Sequence, residues 1–278
     1  MRPTSKHAGF TLVEMIIVIA IVGIVGSMVA VFMRAPIESY VAQDRRARLA
    51  DTADTALRRM GREVRLALPN SVRVTTVAVG AVNVSYLEFL GTRDGGRYRT
   101  QIDPAVAGSD PLVFTVADSS FDVLGPPITM QAGNLIAVYN LGIAGANAWA
   151  VGTPGDTLAV YSGAAGAVNT ITLAPAKLFP QASPGNRFQV VTGPVTYECN
   201  PAAGTLTRFW GYARAAAQPT PPAAPASSAL LATGVSDCNI TYQPGITERG
   251  GLVSMTLDLT REGETVRLYS SMQVENQP

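Results

Sequence analysis

The run AGFTLVEMIIVIAIVGIVGSMVAVFM, Ala8 to Met33, decides how this chain is organised. From Phe10 to Met33 it is apolar apart from Glu14 and a few small or hydroxyl residues. As a helix at 1.5 Å per residue it reaches roughly 36 Å, enough to cross a bilayer core of about 30 Å. Arg2 and Lys6 precede it, so the positive-inside rule puts the N-terminus in the cytoplasm and the remaining chain outside the inner membrane. An ordinary secretory signal peptide has a shorter apolar region closed by a small-x-small cleavage site, and this run is too long and lacks that ending. A plain membrane anchor leaves Glu14 unexplained. A carboxylate inside an apolar span costs about 2.5–3.5 kcal/mol on insertion scales, so its presence points to a function.

Ala8-Gly9-Phe10-Thr11-Leu12-Val13-Glu14 resembles the type IV prepilin signature, in which a short basic leader ends in glycine ahead of the apolar stretch. The resemblance implies that a prepilin peptidase removes residues 1–9 by cutting after Gly9. It implies N-methylation of Phe10 and extraction of the processed subunit from the membrane into a helical filament of major and minor pilins. Glu14 then lies one helical turn from the new amino group on Phe10. A carboxylate inside an apolar helix bundle can be neutralised by the N-terminal ammonium of a neighbouring subunit, which would hold the helices in axial register. The expected location is the bacterial inner membrane, single-pass with a periplasmic globular part, and the pilus after assembly.

Helical periodicity continues from Glu38 to Leu68, with Leu49, Ala53, Leu57, Met60, Val64 and Leu68 at three- and four-residue steps. Asp54 with Arg58, and Arg59 with Glu63, are spaced for i,i+4 pairing. Pro69-Asn70 should end this helix, and Pro36, with Gly23 and Gly26, should bend or loosen it. Seven arginines (Arg45, Arg46, Arg48, Arg58, Arg59, Arg62, Arg65) alternate with Asp44, Asp51, Asp54 and Glu63. That mixture reads as a solvated or subunit-facing helix, and with a net charge of +1 no nucleic-acid partner is expected. Arg34 to Val74, together with YECNPAAGTLTRFWGY (Tyr197 to Tyr212), resembles the large minor pilins of the mannose-sensitive haemagglutinin (MSHA) pilus. That MshO-type group is related to the J-type subunit of type II secretion. It usually carries a proline early in the extra-membrane helix or late in the membrane helix. Val31 to Arg34 has none, and Pro36 comes slightly later.

Beyond the helix the text is β-like. Val72 to Val79 and Val82 to Leu90 are rich in β-branched residues, and Asp94-Gly95-Gly96 reads as a turn. Thr196 to Tyr212 reads as a hairpin around residues 200–204. Ala213 to Ser228, ARAAAQPTPPAAPASS, reads as an exposed loop. The clearest hairpin is the last: Val253, Met255, Leu257 and Leu259 share one face of a strand, and Val266, Leu268, Met272 and Val274 share one face of the next. The expected fold is α+β, with a long N-terminal helix packed on an antiparallel sheet. The expected segments are a leader (1–9), a membrane half of the helix (10–33), an extra-membrane half (34–68) and a β-rich globular domain (69–278).

The chemistry-bearing residues are few. The chain has 1 His and 2 Cys, and His7 falls in the leader. Cys199 and Cys238, an even count in an exported protein, read as one disulfide. No G-x-S-x-G elbow or phosphate-binding loop appears, so an enzyme is not expected. No cofactor is expected either. Asp103, Asp110, Asp118 and Asp122 could offer oxygens to calcium, but their spacing matches no EF-hand loop. Phe209, Trp210 and Tyr212 read as strand core rather than as a binding patch. The leading expectation is a minor pilin that helps start or prime assembly, since the globular part is large for a subunit packed in great numbers. Glu14 argues against the outermost tip position, whose occupant in related secretion systems lacks it. The alternatives are a J-type pseudopilin of type II secretion and, from another class, an adhesin displayed on a pilus.

Overall fold

The computed structural model of the protein describes residues 9–225, 227–245 and 250–278. The leader residues Arg2, Lys6 and His7 lie outside the described residues. The chain divides into two compact units, the first ending at Arg48 and the second running from Leu49 to Pro278.

One helix, α1 (Leu12–Arg65), accounts for nearly all of the first unit and continues into the second. Its apolar stretch is uncovered by the chain itself: Leu12, Ile16, Ile19, Val22, Val29 and Phe32 are all exposed. A helix this long and apolar is able to cross a membrane. A methyl group built on Gly23 or Gly26 would meet no other atom within 4 Å, so no packing inside this chain requires those glycines. Pro36 stands inside α1 without ending it, although it removes one backbone donor.

The second unit is built from strands on the last turns of α1. They are β1 (Arg73–Val79), β2 (Val82–Tyr98), β3 (Asp118–Leu124), β4 (Ile128–Met130), β5 (Leu135–Val138), β6 (Leu158–Val160) and β7 (Gly166–Val168). There follow β8 (Thr170–Lys177), β9 (Arg187–Asn200), β10 (Thr205–Trp210), β11 (Ser227–Thr233), β12 (Val235–Gln243), β13 (Gly251–Arg261) and β14 (Glu264–Val274). A 9-stranded sheet carries the path β11-β10-β9-β2-β3-β8, with β1 on β2, β5 on β9 and β6 on β5. Strands β12, β13 and β14 form a separate antiparallel sheet, and β4 pairs β7. This is the expected α+β arrangement.

The long strands β2 and β9 pair from Ser85↔Cys199 to Arg97↔Arg187, with irregularities between Gly91 and Asp94. They thread two cores. The first gathers Leu49, Ala53, Leu57, Met60 and Val64 of α1 with Leu87 and Phe89 of β2, Tyr197 of β9, and Met255 and Leu257 of β13. The second gathers Tyr98, Phe121, Ile136, Phe179 and Phe188, with the Phe121 and Phe188 rings edge to face at 5.3 Å. A smaller cluster forms around Leu68, Leu90 and Trp149.

The helical apolar stripe therefore packs as its spacing predicts. The pairs Arg58–Asp54 (2.6 Å) and Arg59–Glu63 (3.4 Å) also form, although such exposed pairs contribute little. Glu63 further accepts Arg208 of β10 at 2.7 Å, tying the helix to the sheet. The helix stops at Arg65 rather than Leu68. Pro69 disfavours helical backbone at Leu68, whose N–H instead donates to the Leu90 carbonyl at 2.7 Å, while Ala67 bridges to Gly91. In the last hairpin Leu257 faces Leu268 and Leu259 faces Val266. Its two-residue turn holds Glu262 (φ 51°) and Gly263 (φ 83°) in the left-handed region that such turns require.

One expectation fails. Asp94-Gly95-Gly96 is not a turn; it lies inside β2, paired with Val190, Gln189 and Phe188 of β9. The glycines serve close approach instead. A Cβ on Gly95 would sit 3.0 Å from the Phe188 carbonyl oxygen, and one on Gly96 would sit 3.0 Å from the Phe188 ring and 3.2 Å from Ile128. Ala213–Ser228 is a loop as far as Pro225, with about half of its described side chains exposed, but it is tied down by its few polar groups. The Ala215 and Ala216 carbonyls accept from Arg73, and Gln218 bonds both the Tyr86 carbonyl (3.0 Å) and Thr75 (2.9 Å).

Gly96→Val tests the strand assignment. The added side chain overpacks against Phe188, so the domain should lose about 1–3 kcal/mol in urea unfolding. An exposed turn glycine with room around it would give little change.

Candidate functional site

The site begins at the N-terminal boundary of α1. Leu12 is the first helical residue, which makes Thr11 the N-cap and Glu14 the third helical position. The Glu14 N–H donates to Thr11 Oγ1 at 3.3 Å, and the Thr11 N–H donates to Glu14 Oε2 at 3.4 Å. This reciprocal pair is a capping box, which satisfies two helix-end donors that nothing else would reach in an apolar medium. Glu14 thus has a partner within its own chain. Thr11 was not singled out from the sequence, although its signal, Thr-x-x-Glu before an apolar run, was present.

Phe10 is 82% exposed. Among the described residues, a Cβ built on Gly9 meets nothing within 4 Å. The described residues therefore leave room for a larger side chain at position 9. The exposed apolar side chains that follow need cover from outside the chain, either lipid or other apolar helices.

Cys199 on β9 and Cys238 on β12 are joined in a disulfide, with Cα atoms 6.4 Å apart and a sequence separation of 39. Both are buried in the core that also holds the helix stripe. The bond staples the 9-stranded sheet to the three-stranded one.

A polar network holds the alanine- and proline-rich strap. Glu88 is fully buried on β2 and takes Arg73 at 2.6 Å and the Tyr212 hydroxyl at 2.8 Å. Because Tyr212 donates to the carboxylate, the Thr196 hydroxyl at 2.5 Å donates to Tyr212. Burial pushes the Glu88 carboxyl above its ordinary value, while Arg73 and Tyr212 pull it back. Burial, with Glu88 beside it, also raises the Tyr212 phenol. The Arg73 guanidinium sits 3.6 Å from the Trp149 ring centroid. Farther along the strap, Arg214 meets both Asp156 oxygens, at 2.9 and 2.8 Å, and the Ala148 carbonyl. Each acidic group here is matched to a donor, so the network holds the strap in place.

The other residues singled out from sequence are dispersed or occupied. Asp122 accepts from the Asp110 N–H, which with Arg99 and Thr170 holds its carboxyl below the usual range. Asp110 accepts from Ser120, Asp118 from the Val113 and Ser120 N–H groups, and Asp103 lies 3.6 Å from Arg99. Among the described residues no three metal-ligating side chains gather to hold an ion. Tyr212 is buried and Trp210 packs against the first core, with the Arg208 guanidinium 4.3 Å from its ring.

Comparison with known protein families finds one match, to the prokaryotic N-terminal methylation motif, over residues 4–30. No curated protein and no solved structure is significantly similar to the chain. The match runs from residues just before α1 into its first turns, the segment that carries the capping box and the uncovered apolar side chains.

Replacing both cysteines by alanine removes a cross-link closing a loop of about 40 residues, which the chain-entropy model values at about 4 kcal/mol. The double variant should unfold at correspondingly lower denaturant, and reductant should destabilise the parent chain but not the variant. Recovery of both cysteines as free thiols from the native protein under non-reducing conditions would contradict the bond.

Proposed function

We propose that this chain is a minor pilin-like structural subunit, cut after Gly9 by a prepilin peptidase and N-methylated on Phe10, that takes part in starting or extending an MSHA-type pilus. The observation that carries this reading is the methylation motif at residues 4–30, set on an apolar helix that its own chain leaves uncovered. Two features support it. Among the described residues nothing crowds position 9, so glycine there fits a demand from an external reader of the sequence. The large strand-built unit, stapled by a disulfide suited to an oxidising compartment, fits a subunit used in small numbers outside the inner membrane. Before cleavage the Glu14 carboxylate is held in the capping box. After cleavage it lies one turn from the Phe10 amine and can turn to the ammonium of a neighbour.

Gly9→Val tests processing. The fold has room for the side chain, so the protein should accumulate folded, in the membrane and at full length. Normal shortening on a gel would contradict cleavage at this bond.

Two substitutions at Glu14 separate capping from charge. Glu14→Gln keeps a capping-box residue but removes the charge; Glu14→Val removes both and the roughly 2.5–3.5 kcal/mol insertion penalty. Both should be cleaved, and both should be depleted from sheared or co-purified filament complexes relative to the parent. If Glu14→Gln enters complexes at the parental level, capping alone explains the residue and the charge-register role fails. The proteins recovered with the parental chain distinguish an MSHA-type pilus from a type II secretion pseudopilus.

A further inference from the structure

The paired strands β2 and β9 bring two like charges face to face. Arg97 and Arg187 are direct cross-strand partners, and such partners lie on the same face of a sheet. Their neighbours Tyr98 and Phe188 are buried in the second core, so alternation turns both arginines to the outer face. Elsewhere in the second unit Arg73, Arg99, Arg208, Arg214 and Arg267 each meet a carboxylate, while among the described residues Arg62, Arg65 and Arg93 meet none. Arg97 and Arg187, among the described residues, meet none and make no side-chain hydrogen bond. Like charges set directly opposite each other destabilise a sheet, and an external anion would relieve that.

The same place is hollow. A depression of about 340 Å³ is lined by Gly95, Gly96, Arg97, Leu124, Arg187 and Gln189. Leu124 is the partner of Arg97 on the adjoining strand β3 and is 42% exposed. Gln189 is the partner of Gly95, one position along from the arginine row on the same face. Gly95, on the same face as Gln189, leaves part of the floor as bare backbone, while Gly96 turns to the core side with Phe188, which also lines the depression. Two guanidinium groups thus border a floor open at Gly95, with an apolar group at one end and an amide beside it. Guanidinium groups match a carboxylate through paired N–H donors. The floor and Leu124 suit the C–H face of a ring, and the Gln189 amide suits a hydroxyl.

We propose that this depression binds a carboxylate-bearing sugar of the uronic-acid type, presented by an anionic glycan. An acidic side chain of a protein neighbour would also neutralise the arginines, but it would leave the ring-sized floor and the amide unused. The proposal stands on this geometry alone and does not depend on the filament in which the chain assembles.

The test uses the full chain in detergent micelles, with glucuronate as probe. Glucose and sodium chloride at matched ionic strength are the controls. Glucuronate should raise the melting temperature beyond either control. Arg97→Gln and Arg187→Gln, each relieving the repulsion, should melt no lower than the parent without ligand and should bind glucuronate at least about tenfold more weakly, as expected for a lost charge-assisted hydrogen bond. Arg187→Lys, which keeps the charge but not the fork, should bind between the parent and Arg187→Gln. Glucuronate acting no better than chloride, or equally on the parent and both glutamine variants, would overturn the proposal. So would a response to polyglutamate without one to glucuronate, which would assign the arginines to a protein partner.

Discussion

Burial of one helical face is the interaction on which the second unit depends. Leu49, Ala53, Leu57, Met60 and Val64 enter a single core with side chains from both the 9-stranded and the three-stranded sheet. Each of these side chains, fully buried, is worth roughly 1.5–3 kcal/mol for the larger residues. Without the helix the inner faces of β2, β9 and β13 would lose their common packing surface. The Cys199–Cys238 bond lies in this same core, so covalent and apolar constraints act on one junction. Glu63 adds a polar link from the helix to Arg208 on β10.

The outer half of the second unit hangs on two strands. β2 and β9 leave the helix-backed core, pass the irregular register near Gly91 and enter the aromatic core around Tyr98 and Phe188. The start of the strap between β10 and β11 is anchored to this extension, with Arg73, paired to Glu88, on its Ala215 and Ala216 carbonyls and Arg214 on Asp156. Both pairs are largely buried, and breaking such a pair by removing one partner leaves an uncompensated charge, typically costing about 3–5 kcal/mol. The strap is thus held by charges that cannot be removed singly without loss, although its own side chains are mostly alanine and proline.

The first unit follows a different rule. Its apolar side chains are exposed in the chain itself, and two of its N-terminal donors are closed by Thr11 and Glu14. A capping box buffers the carboxylate without burying it among other side chains, which leaves it available when the surroundings change. In an apolar medium, such a local hydrogen bond lowers the penalty of holding the charge.

The helix stripe, the final hairpin and the β9–β10 hairpin were legible in the sequence because each has a local period that one buried face enforces. Leu257 and Leu259 alternate for the same reason that Leu57 and Met60 recur at helical spacing. The disulfide was legible because only two cysteines exist to pair. The glycines at 95 and 96 were misread because a turn and a close cross-strand approach call for the same residue, and only the position of Phe188 distinguishes them. The strap reads as a loop, but its composition gives no hint that Arg73, well over a hundred residues earlier, holds its backbone, or that the Tyr86 carbonyl holds the Gln218 side chain. By itself the sequence determined the uncovered apolar helix, the residues around Gly9 and Glu14, the α+β class and the cysteine pair, since these rest on composition and short-range spacing. Only the tertiary structure decided that β2 and β9 serve two cores, that the strap is clamped, and that Arg97 faces Arg187, because cross-strand register between distant segments sets each of these and no local pattern encodes it.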